Sequence, residues 1–147
     1  MSISANIRKV GGITKPIGLR DVLLEKYMVM TQLIQIKRAY DPEENTDGFR
    51  VYIDRLWPRG LSHETFHYDL WDKDIAPSTE LREWFHTAPD NLWPQFVEKY
   101  KSELKSNPAF GVLKTTIESK RVVTLLYSSH DREHNNAVVV LEMLKER

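Results

Sequence analysis

Two groups of side chains have types and spacings that could do chemistry. The first is Asp54-Arg55-Leu56-Trp57-Pro58-Arg59-Gly60. Arg55 or Arg59 can clamp a carboxylate or phosphate with paired N–H donors. Trp57 offers a ring for stacking, and Pro58 with Gly60 fixes the shape of the loop. A structural expectation stands beside this one: Asp54 and one arginine forming a buried ion pair, because structural networks gather the same residue types. The second group is Tyr127-Ser128-Ser129-His130-Asp131 with His134-Asn135. Here His134 is the candidate general acid/base, oriented by Asp54 or Glu133, and Asp54 and Tyr127 are the other candidates for proton transfer. Ser128 and Asn135 join Arg55, Trp57 and Arg59 as candidate ligand contacts. Asn135 and Asn136 are poor residues inside a helix. Side by side near a helix start, they are expected either to pin the neighbouring loop or to touch a ligand.

Other chemistries lack their usual support. His130 and His134 are four residues apart, but this is not a His-Glu-x-x-His motif and no third ligand is evident, so no metal is assigned. Ser78 after Pro77 reads as a helix N-cap rather than a nucleophile, and no Gly-x-Ser-x-Gly elbow accompanies it. Neither a Walker A nor a Gly-x-Gly-x-x-Gly motif occurs, so no cofactor is assigned. The 147-residue chain has no cysteine. That excludes disulfides, thiolate catalysis and cysteine-based metal sites, and it fits a cytoplasmic location. No apolar run approaches the ~18 residues of a membrane helix. The formal net charge is zero, with residues 1–31 carrying five cations against two acids (+3) and the remainder −3. A slightly acidic domain has no broad basic face for duplex nucleic acid.

The elements that must position these residues follow from periodicity. Residues 33–38 are partly alternating and β-branched, a strand. Residues 40–48 are polar with Asp-Pro and Asp-Gly, a loop with turns at both ends. A second strand is expected from Phe49 to about Leu56, with apolar residues on both faces and therefore central in a sheet. Residues 66–71 alternate and read as a short strand or extended arm. Ser78 then opens a helix ended by Pro89, Asp90 or Asn91 opens a second, and Asn107-Pro108 opens a third. Residues 121–127 form a near-continuous apolar run, the signature of a central parallel strand. A last helix is expected from His134 to Arg147. This order predicts an α/β layered fold, a small and mostly parallel sheet flanked by helices, with residues 78–119 as a long helical crossover.

Residues 1–31 are read as an N-terminal extension, poorly packed or a short helix over residues 19–28, with Met28 or Met30 as an alternative start. The domain proper is residues 32–147.

With these elements placed, the chain resembles the YeaO-like proteins, a bacterial and archaeal family of unknown function. The resemblance covers roughly residues 33–147. It is carried by Asp54-Arg55-Leu56-Trp57-Pro58-Arg59-Gly60, by Trp71 with Lys73, by Ala76-Pro77-Ser78 with Leu81-Arg82 and Trp84-Phe85, by Phe96 and Tyr100 with Glu103-Leu104, and by Thr124-Leu125-Leu126-Tyr127 with His134-Asn135-Asn136-Ala137. It implies an α/β fold and no established activity. Some wider relatives are expected to carry Cys-His-Arg at the place of His134-Asn135-Asn136, and thiol chemistry there does not transfer to this chain.

Two functions are therefore expected from sequence. One is a small cytosolic domain holding an anionic ligand in a crevice between the ends of strands 49–56 and 121–127, with acid/base chemistry available to it. The other is a non-enzymatic module that presents the aromatic helices 78–106 to a protein or a single-stranded nucleic acid.

Overall fold

The computed structural model describes residues 7–10, 13–16, 18 and 31–146. The chain divides into two units between Gln32 and Leu33. In the first unit, β1 (Ile7–Val10) pairs antiparallel with β2 (Ile13–Pro16). The helix expected over residues 19–28 falls outside the described residues.

The second unit is an α/β layered fold. Its sheet contains β3 (Leu33–Arg38), β4 (Phe49–Tyr52), β5 (Leu70–Trp71) and β6 (Val122–Tyr127). The strand order is β3-β6-β4-β5, and every pair is parallel. β6 is interior and buried from Val123 to Tyr127, as its uninterrupted apolar run requires. Four helices follow β5 and β6: α1 (Thr79–His86), α2 (Pro89–Ser106), α3 (Pro108–Ile117) and α4 (Asn136–Lys145). The first three make the crossover between β5 and β6.

Two packed clusters lie on the two faces of the sheet. Val51, Ile53, Val123, Leu125 and Tyr127 pack with the helices. Tyr52, Leu126, Ala39 and Phe66 pack on the other side under Trp57, Leu61, Tyr68 and Trp71. The alternation of odd and even residues in β4 and β6 assigns each side chain to its face.

Local chemistry explains most boundaries. Ser78 caps α1 by accepting from the Leu81 N–H at 3.1 Å. Asn107 caps α3 through the Ala109 N–H at 3.0 Å, and Pro108 takes the first helical position. Several boundaries differ from expectation, and of residues 66–71 only Leu70–Trp71 are a strand. α2 begins at Pro89 rather than after Asp90 or Asn91, with Ala88 as its cap, so Pro94 lies inside the helix. α4 begins at Asn136, not at His134, because Asn135 is the cap and accepts from the Val138 N–H at 3.1 Å. The second strand ends at Tyr52 rather than near Leu56. Ile53 still donates to the Leu126 carbonyl at 3.1 Å, but from Asp54 the chain bonds to groups outside the ladder. Trp57 consequently packs with Tyr52, not with Val51 and Ile53 as a continued strand would place it.

The turn before β4 is sterically exacting. Gly48 has φ +64°, and a Cβ built there would lie 2.3 Å from the Val122 carbonyl oxygen. Gly48→Ala is expected to destabilise the domain by about 2 kcal/mol or more. Chemical denaturation of that variant measures it, and a midpoint equal to wild type would contradict the expected close approach.

Candidate functional site

The carboxyl ends of β4 and β6 meet through one side chain. The Asp54 Oδ2 accepts from the Ser128 N–H at 2.8 Å and from the Ser128 hydroxyl. Its Oδ1 accepts from the Asn136 side-chain amide at 2.7 Å. The same amide donates to the Ile53 carbonyl at 3.3 Å. Asp54 therefore ties the end of β4 to the turn after β6 and to the first residue of α4. Among the described residues no cation pairs with it, so the expected ion pair is replaced by neutral donors. Tyr52 lies alongside, its hydroxyl 2.8 Å from the Leu56 carbonyl. Burial, reinforced by the nearby Asp54 charge, pushes the Tyr52 phenol above its ordinary value.

From Asp54 onward the loop is held by its backbone. Trp71 donates its indole N–H to the Asp54 carbonyl at 2.7 Å. Tyr40 donates its hydroxyl to the Arg59 carbonyl at 2.7 Å, and the Leu61 N–H donates to Pro58 at 3.3 Å. Trp57 donates its indole N–H to the Leu61 carbonyl at 2.6 Å. One face of the Trp57 ring is covered by His63 at 3.8 Å between centroids, and Phe66, Tyr68 and Trp71 meet it edge-on. In contrast, Arg55, Leu56, Arg59 and Gly60 are exposed, with Leu56 at 64%. The Arg55 guanidinium makes one long contact, 3.4 Å to the Pro77 carbonyl. The Arg59 guanidinium has no partner among the described residues.

The second expected group is divided: Ser128 meets Asp54, while Tyr127 and His134 lie on the helix side. His134 stacks on Trp93 of α2 at 4.6 Å and 18°, and Trp93 packs against the helix-side cluster. The Trp57–Leu61 turn covers the opposite face of the sheet. The structure thus brings Asp54, Ser128 and Asn136 together but does not bring His134 to the turn that carries Arg59. Tyr127 is buried in the helix-side cluster. Burial raises its phenol above the ordinary value, and the nearby Arg132 opposes that rise. Asn135 is buried and spans its own turn, donating to the Asp131 carbonyl at 2.9 Å besides capping α4. His130 and His134 both precede α4, so they do not share a helical face. No cluster of metal-ligating side chains occurs among the described residues.

Sequence reasoning missed two features here. Glu103 of α2 accepts both the Ser78 N–H (2.9 Å) and the Ser78 hydroxyl (2.6 Å), which locks α1 to α2. Ser78 is thereby occupied as cap and donor at once. Arg38 lies at 4.7 Å over the Tyr40 ring and donates to the carbonyls of Ser129 (2.7 Å) and Ser128 (3.3 Å). From sequence it is only the last residue of a strand. The aromatic helices are divided between core and surface: Phe85, Phe96 and Tyr100 are buried, while Trp84 and Trp93 are half-buried, with Lys99 placed 5.3 Å over Trp84.

Residues 33–147 match the family described as the inactive DUF488-N3 subclade. The chain is similar to the uncharacterised protein YeaO of Escherichia coli (strain K12), 43% identical over 112 residues, covering 76% of this chain and 96% of that protein. It is also similar to the uncharacterised proteins Rv3073c of Mycobacterium tuberculosis (strain ATCC 25618 / H37Rv) and Mb3100c of Mycobacterium bovis, each 32% identical over 120 residues, 82% of this chain and the whole of each relative. No solved structure matches significantly. Among the described residues, no helix is long and apolar enough to cross a membrane.

Proposed function

The chain belongs to the YeaO-like family and matches the family described as the inactive DUF488-N3 subclade, and from that premise we propose that residues 33–147 form a non-catalytic domain that binds a small anionic ligand at the Asp54–Gly60 loop. Arg59 supplies the principal charge, Arg55 the second, and Leu56 with Tyr40 the apolar contact.

One observation carries this reading: the loop is rigid inside and bare outside. Its carbonyls at Asp54, Leu56, Pro58 and Arg59 and the Trp57 indole are all hydrogen-bonded, yet Arg55, Leu56 and Arg59 face solvent. A loop held this firmly loses little conformational entropy when a ligand arrives. A guanidinium not committed to a carboxylate keeps its donors for an incoming anion. Acid/base chemistry finds less support. The Asp54 carboxylate already accepts from Ser128 and Asn136, and His134 is stacked on Trp93 away from the turn.

Calorimetric titration with phosphorylated metabolites and dicarboxylates tests the proposal. Binding is expected for at least one class, weakening as salt is added. Arg59→Ala is expected to lose about tenfold or more in affinity, the worth of a charge-assisted hydrogen bond, with an unchanged melting temperature. Equal affinities for wild type and Arg59→Ala, or no anion bound by wild type, would overturn it.

A further inference from the structure

We infer that β3 is a self-association edge: the Leu33–Arg38 strands of two copies pair antiparallel about a two-fold axis at Gln35, joining two four-stranded sheets into one.

β3 is one end of the sheet and pairs only with β6 among the described strands. The Leu33 N–H donates to the Arg121 carbonyl at 2.8 Å, and the Ala39 N–H to the Tyr127 carbonyl at 2.7 Å. Odd residues therefore turn their backbone groups towards β6, and even residues turn theirs outwards. Arg38, the last of these, is closed locally: its N–H donates to the Asp41 carboxylate at 3.0 Å, and its carbonyl accepts from the Asp41 N–H at 3.0 Å. Ile34 and Ile36 are left, each with one outward N–H and one outward C=O and no partner among the described residues.

Sheet edges in stable monomers are normally short, charged or covered. The other edge follows that rule. β5 has only two residues, bracketed by Asp69 and Asp72 and followed by the exposed Lys73. β3 does not. It opens Leu-Ile-Gln-Ile, with Leu33 53% exposed and Ile34 and Ile36 only half-buried. Its two cations do not guard the edge. Lys37 turns under the sheet, its ammonium 2.9 Å from Asp47, and Arg38 turns onto the Ser128 and Ser129 carbonyls and the Tyr40 ring.

The edge is also complementary to itself. With the axis at Gln35, Ile34 of one copy faces Ile36 of the other, and each such pair exchanges two N–H···O=C bonds. Lys37 then falls opposite Leu33, and Arg38 opposite Gln32, so no like charges meet. The side chains of Ile34 and Ile36 lie on the helix-side face, so pairing places them next to their counterparts and continues the apolar layer. A chain with formal net charge zero has no overall repulsion between copies to overcome.

Sedimentation equilibrium of the full chain across a concentration series tests this. A reversible dimer of two 17.3 kDa chains is expected. Ile36→Pro removes an outward donor and no bond to β6, as proline is tolerated at such an edge position. It is expected to weaken dimerisation about tenfold or more through the two bonds lost. Gln35→Glu sets two carboxylates opposite each other at the axis and is expected to do the same. Circular dichroism establishes that each variant is folded, and where Ile36→Pro is not, Gln35→Glu decides. A wild type that stays monomeric throughout would overturn the inference, including one whose Ile34 and Ile36 amides are protected from exchange by another segment of the chain. So would a dimer that persists unweakened in the folded variants.

Discussion

Asp54→Ala is expected to lower the unfolding free energy by about 1–3 kcal/mol, the cost of leaving buried neutral donors without their acceptor. The carboxylate is the acceptor for the Ser128 N–H, the Ser128 hydroxyl and the Asn136 amide. Alanine would leave these donors facing one another across the space it vacates. Two of them sit on the turn between β6 and α4, so the loss loosens the start of a helix as well as the end of a strand. The Trp71 bond to the Asp54 carbonyl uses the backbone and survives the substitution. Asp54→Asn retains one acceptor oxygen and is expected to fall between alanine and wild type. Urea denaturation of the three proteins provides the measurement. A melting profile for Asp54→Ala that superimposes on wild type would show that this carboxylate does not brace the fold.

The same network separates what the sequence displayed from what it concealed. β3 and β6 were legible because their signals are local, a β-branched alternation and an unbroken apolar run. The caps at Ser78 and Asn107 were legible for the same reason, since a capping side chain bonds within three residues of itself. The end of β4 was not. Periodicity carries Arg50–Leu56 straight on, and what stops it is a bond from Asp54 to Ser128, seventy-four residues away. Asn135 and Asn136 advertised a hydrogen-bonding task by being poor helix residues, and each has one. Their partners, the α4 N-terminus for Asn135 and Asp54 for Asn136, required the fold. Strands β4 and β6, whose ends the expected crevice needed side by side, are neighbours, but periodicity does not say which face each following segment takes. His134 goes to the helix side with Trp93, and the Trp57 turn goes to the other. The bare arginines of the loop were visible from the start, but the hydrogen bonding that holds their backbone was not.

A second large effect is expected at a residue that the sequence showed only as part of a turn. Asp47 is 1% exposed and lies under the sheet between two cations. Its carboxylate accepts from Lys37 at 2.9 Å, from Arg50 in a close contact, and from the Glu44 N–H at 3.1 Å. Its carbonyl accepts from the buried Thr124 hydroxyl at 2.6 Å. Arg50 in turn donates to the His67 carbonyl at 2.9 Å, so one acid organises the 40–48 loop, β3, β4 and the segment before β5. A sequence signal did exist: Arg50 interrupts the apolar run Phe49–Tyr52, and a buried cation demands an anion. Asp47→Ala would leave both cations beneath the sheet with the carbonyls of Pro42 (2.7 Å from Lys37) and His67 (2.9 Å from Arg50) but with no carboxylate nearer than Glu44 to Lys37 (3.8 Å) and Glu43 to Arg50 (3.7 Å). A loss of about 3–5 kcal/mol is expected. Lys37→Met introduced alongside it should recover part of that loss, because one stranded charge goes with it. The acid limb of the stability curve carries the matching sign. Burial pushes the Asp47 carboxyl up, but the bonds from Lys37, the Glu44 N–H and Arg50 outweigh it and hold it below its ordinary 3.8. A carboxylate so depressed contributes its full stabilisation above that ordinary value and loses it as the pH falls towards the lower folded value. Wild type is therefore expected to lose stability below about pH 4 more steeply than Asp47→Ala does. Parallel acid limbs for the two proteins, or equal stabilities at neutral pH, would show that Lys37 and Arg50 are held by something other than Asp47.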